Sequence, residues 1–457
     1  MKAVLALSLF VGCAAACAAD APARPEWKVY LATDAPVPQF GDEVIVDVLD
    51  GSADPPEQFF DASTPGSWPI SFGVVPADPS VPVRIRARLF RFALTGSDGL
   101  PTTSSLIDGT ATLPPPSGLT AVALTLSMSC FGLAADVNGR TTCDPTAGAL
   151  APEPTLSPVQ SLTGLPAPGS WAPAAKVDCR GAVPAGMVCV SGGAFLLGSP
   201  RYLPIDATRD PTPEHLVELS PFALDTNEFT VGAFRQLILH DGLPAPLMAD
   251  PDFDAPTGAC TYVGSHDSAS DAMPVNCISH AVAAQACALV GKRLPTEAEW
   301  EYASGNLAAE TPYPWGQDSN ACTYAVVGHG SFINSDEAYG CETPANGFSV
   351  GIVPGGDPLD RTQLGITNLG GNVSEWVADL FSPYTGSCWN RGSSVGTASP
   401  VLVDPACGVD FNGEKIDFSY RGGSWSDAPD EAAGYFRFYG GDEYADSTVG
   451  FRCALSM

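Results

Sequence analysis

The sequence predicts an α+β protein of two unlike units: an all-β sandwich of immunoglobulin-like type, then a larger unit of short strands, few helices and long loops. Three observations carry this. Apolar and polar residues alternate with period two through residues 27–145. Seven prolines with Ala, Ser, Thr and Gly then break all periodicity over 145–173. Past that point helix-capping signals alternate with Gly-rich loops and most of the 14 cysteines. At 457 residues the chain exceeds one ordinary core, which agrees with two units.

The first residues, MKAVLALSLFVGCAAACAAD, combine one positive charge, a short apolar run and small residues. This pattern reads as an export signal over 1–17, too short to span a bilayer as a helix. Cys17, preceded by three alanines, fits a loose lipoprotein cleavage pattern; Cys13, preceded by Phe-Val-Gly, fits less well. Lipid attachment at Cys17 and simple secretion both remain open. Cleavage before Cys17 leaves 12 further cysteines of the 14, an even number suited to disulfides in an oxidising compartment. The formal charge of −30 repels nucleic acid and anionic membranes, so contact with a membrane is expected only through a lipid anchor.

In the sandwich unit, Val44, Val46 and Val48 alternate with polar neighbours. Val83, Ile85, Ala87 and Leu89 alternate with Arg84, Arg86, Arg88 and Phe90, and the arginine row reads as a solvated face. Val122, Leu124, Leu126 and Met128 repeat the pattern before Cys130, which with Cys143 is spaced to staple a hairpin or loop. Residues 146–178 read as a semi-extended Pro/Ala-rich linker. In the unit over 179–457, MVCVSGGAFLLGS reads as a strand pair turning at Gly192 and Gly193. Thr230 caps a helix through FRQLILH. Ser279 precedes an Ala-rich helix ending near Gly291, and Thr296 with Glu299 forms a capping box that starts another.

Seven blocks of this unit, MVCVSGGAFLLGS, PFALDTNEFTVGAF, MPVNCISHAVAAQACALVGKRLPTEAEWEYASG, YPWG, ITNLGGNVSEWVADLF, RGGSW and VGFRCA, occur in the order and wording of the formylglycine-generating enzyme (sulfatase-modifying factor) family. The resemblance covers about 179–457 and implies a variant of the C-type lectin fold with little regular structure. It also implies chemistry. Active members oxidise a sulfatase cysteine to formylglycine with oxygen and copper held by two thiolates, because soft thiolates suit Cu(I). Those cysteines lie five residues apart, just after the GGS-aromatic turn. In this chain the first position is Asp427 and the second falls near Ala432, so copper is not expected. Other branches of the superfamily are non-haem iron enzymes with clustered histidines, and this chain has only His215, His240, His266, His280 and His329. His280, at a helix start, reads as a capping or surface residue.

The resemblance further implies a calcium loop in NLGGNVSEW, with oxygens from Asn368, Gly371, Val373 and Glu375. A weaker second calcium site is implied at Asn320, Ala321 and Asn346, the last standing where the family has Asp. Calcium in these loops would be structural. Cys453, in GFRC, matches the family's structural disulfide, with Cys287 as its partner. The other cysteines read as loop clips, Cys179–Cys189, Cys260–Cys277, Cys322–Cys341 and Cys388–Cys407, although spacing alone does not fix connectivity. Two functional expectations follow. One is an exported or lipid-anchored bacterial envelope protein that binds a peptide, protein or glycan through a groove of Ser424, Trp425, Asp427, Tyr435, Arg437 and Tyr439. The other is an oxygen-dependent oxidoreductase using a non-haem metal, with Asp427 as a hard ligand.

Overall fold

A computed structural model describes residues 25–49, 57–76, 78, 81–92, 95, 100–101, 105–200, 209–246, 260–266, 268–328, 341, 359–389, 401–408 and 417–457. The export signal with Cys13 and Cys17, together with Asn346, lies outside the described residues.

The first unit is built from strands β1 (Glu26–Thr33), β2 (Glu43–Leu49), β3 (Glu57–Asp61), β4 (Ile70–Val74), β5 (Arg84–Phe90), β6 (Leu106–Thr112) and β7 (Leu119–Leu126), followed by the hairpin β8 (Thr141–Asp144) and β9 (Ala149–Pro152). One sheet has the order β4-β1-β7, with β1 antiparallel to β4 and parallel to β7; the other has the order β3-β2-β5-β6 and is antiparallel. Alternation drives this arrangement. Trp27, Val29 and Leu31 of β1, Val44 and Val46 of β2, Ile85, Ala87 and Leu89 of β5, and Val122 and Leu124 of β7 share one buried core.

The arginine row of β5 departs from its expected solvated role. Arg84 pairs with Glu153, Arg86 with Asp108 at 2.7 Å, and Arg88 with Asp47 at 2.9 Å. Every second residue from Arg84 to Arg88 faces a carboxylate on a neighbouring segment, so the row forms a layer of charge-assisted bonds. The proline-rich stretch is extended but is not a free spacer. Leu156 N donates to Thr112 O at 2.9 Å, Val159 N to Ala121 O at 2.8 Å and Trp171 N to Asp34 O at 3.1 Å, while the Trp171 ring packs edge-on against Phe40. Proline lacks the N–H that a central strand needs, yet the residues between prolines can still bond an exposed sheet edge. The stretch is therefore a strap along the first unit.

The second unit begins with β10 (Met187–Val190), β11 (Gly193–Leu197), β12 (His215–Leu219) and β13 (Phe222–Asp225), then the helices α1 (Val231–Asp241), α2 (His280–Leu289), α3 (Glu297–Ser304) and the short α4 (Ala321–Tyr324). Strands β14 (Ser374–Leu380), β15 (Leu402–Val403), β16 (Asp417–Arg421), β17 (Arg437–Gly441), β18 (Val449–Gly450) and β19 (Ala454–Ser456) complete it. The expected β10–β11 hairpin does not form: β10 belongs to the sheet β10-β13-β19 and β11 to the sheet β11-β12-β15. Gly192 is pressed against the backbone at Leu219 and Pro221, so the chain bends between two layers instead of folding back on itself. Thr230 Oγ1 caps α1 by accepting from Ala233 N at 3.2 Å, and the Thr296–Glu299 capping box starts α3. Ser279 precedes α2 without a side-chain cap.

β11 and β12 form the wall between the units. Ala194, Leu196 and Leu216 pack into the first unit's core, whereas Phe195, Leu197, Val217 and Leu219 pack into the second's. Period two thus serves two cores at once. Polar bonds cross the same wall: Gln39 Nε2 donates to Ala194 O at 2.8 Å, and Arg91 pairs with both Glu214 and Glu310. Among the described residues six disulfides are present, Cys130–Cys143, Cys179–Cys189, Cys260–Cys277, Cys287–Cys453, Cys322–Cys341 and Cys388–Cys407. The Cys287–Cys453 bridge spans a sequence separation of 166 and ties α2 to the segment before β19.

Candidate functional site

The site begins where β16 ends, in a sheet of order β17-β16-β14-β18. Arg421 lies opposite Glu375 on one side and Arg437 on the other. The chain then turns through Gly422 and Gly423. Gly422 has φ of +81°, and a Cβ at either glycine would strike the backbone of Leu369 or Gly370. This double-glycine turn is thereby seated against the Gly-rich loop at 369–372.

Past the turn, Ser424 N donates to Asp427 Oδ2 at 2.8 Å and Asp427 N donates to Ser424 O at 3.1 Å. Ser374 Oγ lies 3.5 Å from the same carboxylate, and Gly328 N donates to Asp427 O at 2.8 Å. Burial raises the Asp427 pKa against these bonds, and Asp446 adds to the rise. Glu431 is pushed up to about 7, by burial first and then by the charge of Asp427. Nearby, burial also raises the phenols of Tyr420 and Tyr444. The position where the resemblance implies a copper-binding thiolate therefore carries an acid among other acids and phenols. Such a set donates and accepts hydrogen bonds and offers hard oxygens; it offers no soft sulfur. All cysteines among the described residues are in disulfides, and the remaining two of the chain's 14 are Cys13 and Cys17.

The six groove residues do not line one groove. Ser424 and Trp425 are buried, with Trp425 Nε1 donating to Ser447 O at 3.2 Å. Arg437 is fully buried: its Nε donates to Glu297 Oε1 at 2.6 Å and its guanidinium lies 3.8 Å from the Tyr384 ring centroid. It belongs to a buried network in which Arg421 Nη1 donates to Glu297 at 2.8 Å and Arg421 also pairs with Glu301. Tyr439 is exposed and rests on Phe381, with ring centroids 4.6 Å apart. Tyr435, half-buried, lines a small cleft at the junction of the two units with Arg91, Glu310 and Pro312. An aromatic-rich strand in a sheet core reads the same in sequence as a binding stripe, hence the difference.

The cleft is a feature that sequence reasoning missed. Arg91, Glu214 and Glu310 are far apart along the chain, and no local signal marks them as neighbours. Burial pushes Glu310 up to about 7 despite the opposing charge of Arg91. His280 also differs from expectation. It is buried, stacked on Phe418 at 3.7 Å, and its Nε2 is 2.9 Å from Val377 O. Burial pulls its pKa down to about 4, so it is a neutral core residue.

The donors of the implied calcium loop do not fit that ion. Both oxygens of Glu375 are taken, by Arg452 Nε at 2.8 and 2.7 Å, by Arg452 Nη2 at 2.6 Å and by Trp300 Nε1 at 2.8 Å. Asn368 and Asn372 donate their side-chain amides to the buried Glu228, at 2.9 and 2.6 Å. The Asn368 side-chain oxygen, which its bond to Glu228 leaves free, and the carbonyls of Gly371 and Val373 make three donors, short of the six to eight oxygens calcium takes. At the second implied site, Asn320 is exposed and Ala321 is buried at the start of α4. Among the described residues no group of three or more His, Cys, Asp or Glu is placed to hold a metal ion.

Residues 173–457 match the family described as Sulfatase-modifying factor enzyme 1-like domain. The formylglycine-generating enzyme of Mycobacterium tuberculosis is 26% identical over 311 residues, covering 58% of this chain and 96% of that protein. The hercynine oxygenase of Mycolicibacterium smegmatis is 26% identical over 273 residues, covering 54% of this chain and 57% of that protein. The protein named inactive C-alpha-formylglycine-generating enzyme 2 of Mus musculus is 30% identical over 190 residues, covering 40% of this chain and 49% of that protein. The chain thus spans less than two thirds of the length of the latter two relatives.

Proposed function

The chain belongs to the sulfatase-modifying factor family, and from that premise we propose that it is an exported or lipid-anchored member acting as a ligand-binding or structural module of a bacterial envelope. In this reading an immunoglobulin-like sandwich presents the family domain to a peptide, protein or glycan. The observation that carries it is the thiol inventory. Asp427 stands where the resemblance implies the first copper ligand, and the described cysteines are all committed to disulfides. A carboxylate cannot replace a thiolate on Cu(I), so formylglycine formation has no metal centre to run on. The name of the mouse relative, an inactive formylglycine-generating enzyme, is consistent with a family that keeps its fold after losing this chemistry.

A second reading is an oxygen-dependent oxidoreductase with a non-haem metal, favoured by the hard oxygens of Asp427 and by the likeness to a hercynine oxygenase. One experiment separates the two. The purified exported form is incubated with oxygen, copper and a Cys-containing sulfatase peptide, and its content of Cu, Fe and Ca is measured. The binding reading expects intact substrate thiol and no stoichiometric transition metal. Formylglycine in the peptide, or one iron or copper per chain, would overturn it. Mass analysis of the N-terminal peptide decides between a lipid on Cys17 and a free secreted form.

A further inference from the structure

Arg452 is the one charged residue of the VGFRCA block, and its guanidinium makes six hydrogen bonds among the described residues. Its side chain is fully buried, as is that of Glu375. The guanidinium holds both oxygens of Glu375 through Nε and Nη2, at 2.6–2.8 Å. Nη2 also donates to Thr367 O at 2.8 Å and Asn368 O at 3.4 Å, and Nη1 donates to Asp225 O at 3.1 Å. One planar cation thereby gathers a carboxylate from β14, two carbonyls from the loop before it and one from the end of β13.

That is the structural task of a divalent cation in an irregular loop: to neutralise a buried acid and draw separate carbonyls to one centre. The five N–H groups of an arginine fork suit it to hold a carboxylate and several carbonyls together. We propose that Arg452 is the resident cation of the Gly-rich loop, and that this loop forms without calcium. Calcium on Glu375 would have to displace the guanidinium or lie beside it, and like charges repel strongly in a site closed to water. The surroundings are built to hold the arginine where it is. Cys453, the next residue, is bridged to Cys287, and Cys453 N donates to Asp225 Oδ2 at 3.1 Å. Trp300 Nε1 closes the remaining approach to Glu375 Oε2 at 2.8 Å. A second buried acid, Glu228, also feels the Arg452 charge, which lowers its pKa against the larger opposing effect of burial.

The test uses the full exported chain. After dialysis against calcium, bound metal is measured by mass spectrometry, and thermal unfolding is followed with calcium and with EDTA. The proposal expects no calcium that depends on Glu375 and the same midpoint in both buffers. It also expects Arg452→Met to unfold at a clearly lower temperature, with Arg452→Lys between it and wild type, because Lys keeps the charge and loses the fork. One calcium per chain that disappears in Glu375→Gln, with a midpoint lowered by EDTA, would overturn it. So would an Arg452→Met protein as stable as wild type. If that variant does not fold, the two calcium measurements on the wild-type chain still decide the question.

Discussion

Ser374 and Glu375 are consecutive residues of β14; one touches an acid and the other is an acid, and the two acids stand in different circumstances. Glu375 is itself an acid, buried and clasped by the Arg452 fork and the Trp300 indole. On the other side, Ser374 reaches the carboxylate of Asp427, which receives hydrogen bonds from Ser424 N and Ser374 and no ion pair among the described residues. The first acid is part of the scaffold; the second stands where the resemblance implies a thiolate. Sequence similarity treats the two loops alike, and the presence or absence of a cation separates them.

The sharpest way to break this contrast is to remove the charge from Glu375. Glu375→Gln leaves a fully buried guanidinium without the carboxylate it is paired with, and stability is expected to fall by about 3–5 kcal/mol. Urea unfolding of the variant measures it, and a loss near zero would mean that Arg452 finds another acid. Next comes the bridge that holds Arg452 in place. Replacing Cys287 and Cys453 together by Ala releases the longest disulfide loop, with a sequence separation of 166. The expected cost is about 2–5 kcal/mol, more than for removing Cys179–Cys189, whose short loop restricts the unfolded chain less.

Glu228 sharpens the comparison through pH. Burial pushes its pKa up to about 8 from an unfolded value of 4.5, so the folded protein binds a proton that the unfolded chain releases. Its contribution to stability therefore falls as pH climbs from 4.5 to 8 and is level above that. Glu228→Gln is expected to match wild type near pH 4 and to gain on the order of 1–3 kcal/mol over it at alkaline pH. Thermal unfolding across that range checks the sign; a variant less stable at alkaline pH would show that ionised Glu228 is a favourable partner of Arg452.

Much of the scaffold was legible because it is written locally. Val44, Val46 and Val48 announce a strand by period two, and Thr296 with Glu299 announces a helix start within four residues. The seven blocks also placed Asp427 after the double-glycine turn. What was not legible depends on partners far away in sequence. Arg437 reads as a groove cation until Glu297, 140 residues earlier, is placed against it. The arginines of β5 look solvated until Asp47, Asp108 and Glu153 arrive opposite them. The split between β10 and β11 follows from two cores competing for adjacent strands, and no short window of sequence contains both cores.

The smallest expected effect belongs to Asp427, and it tests the other half of the contrast. Its pKa is raised by burial, against the bonds from Ser424, so ionisation at neutral pH weakens the fold slightly. The folded state again holds the proton more tightly than the unfolded one, so this group's contribution declines as pH rises past its unfolded value of 3.8. Asp427→Asn keeps an oxygen to accept from Ser424 N and carries no charge. It is expected to equal wild type near pH 3 and to exceed it at neutral pH by less than the other variants change stability, because the residue is only half-buried. Chemical denaturation at the two pH values reads the difference. A loss of stability comparable to that of Glu375→Gln would show that Asp427 balances a cation, and the distinction between frame and site would fall with it.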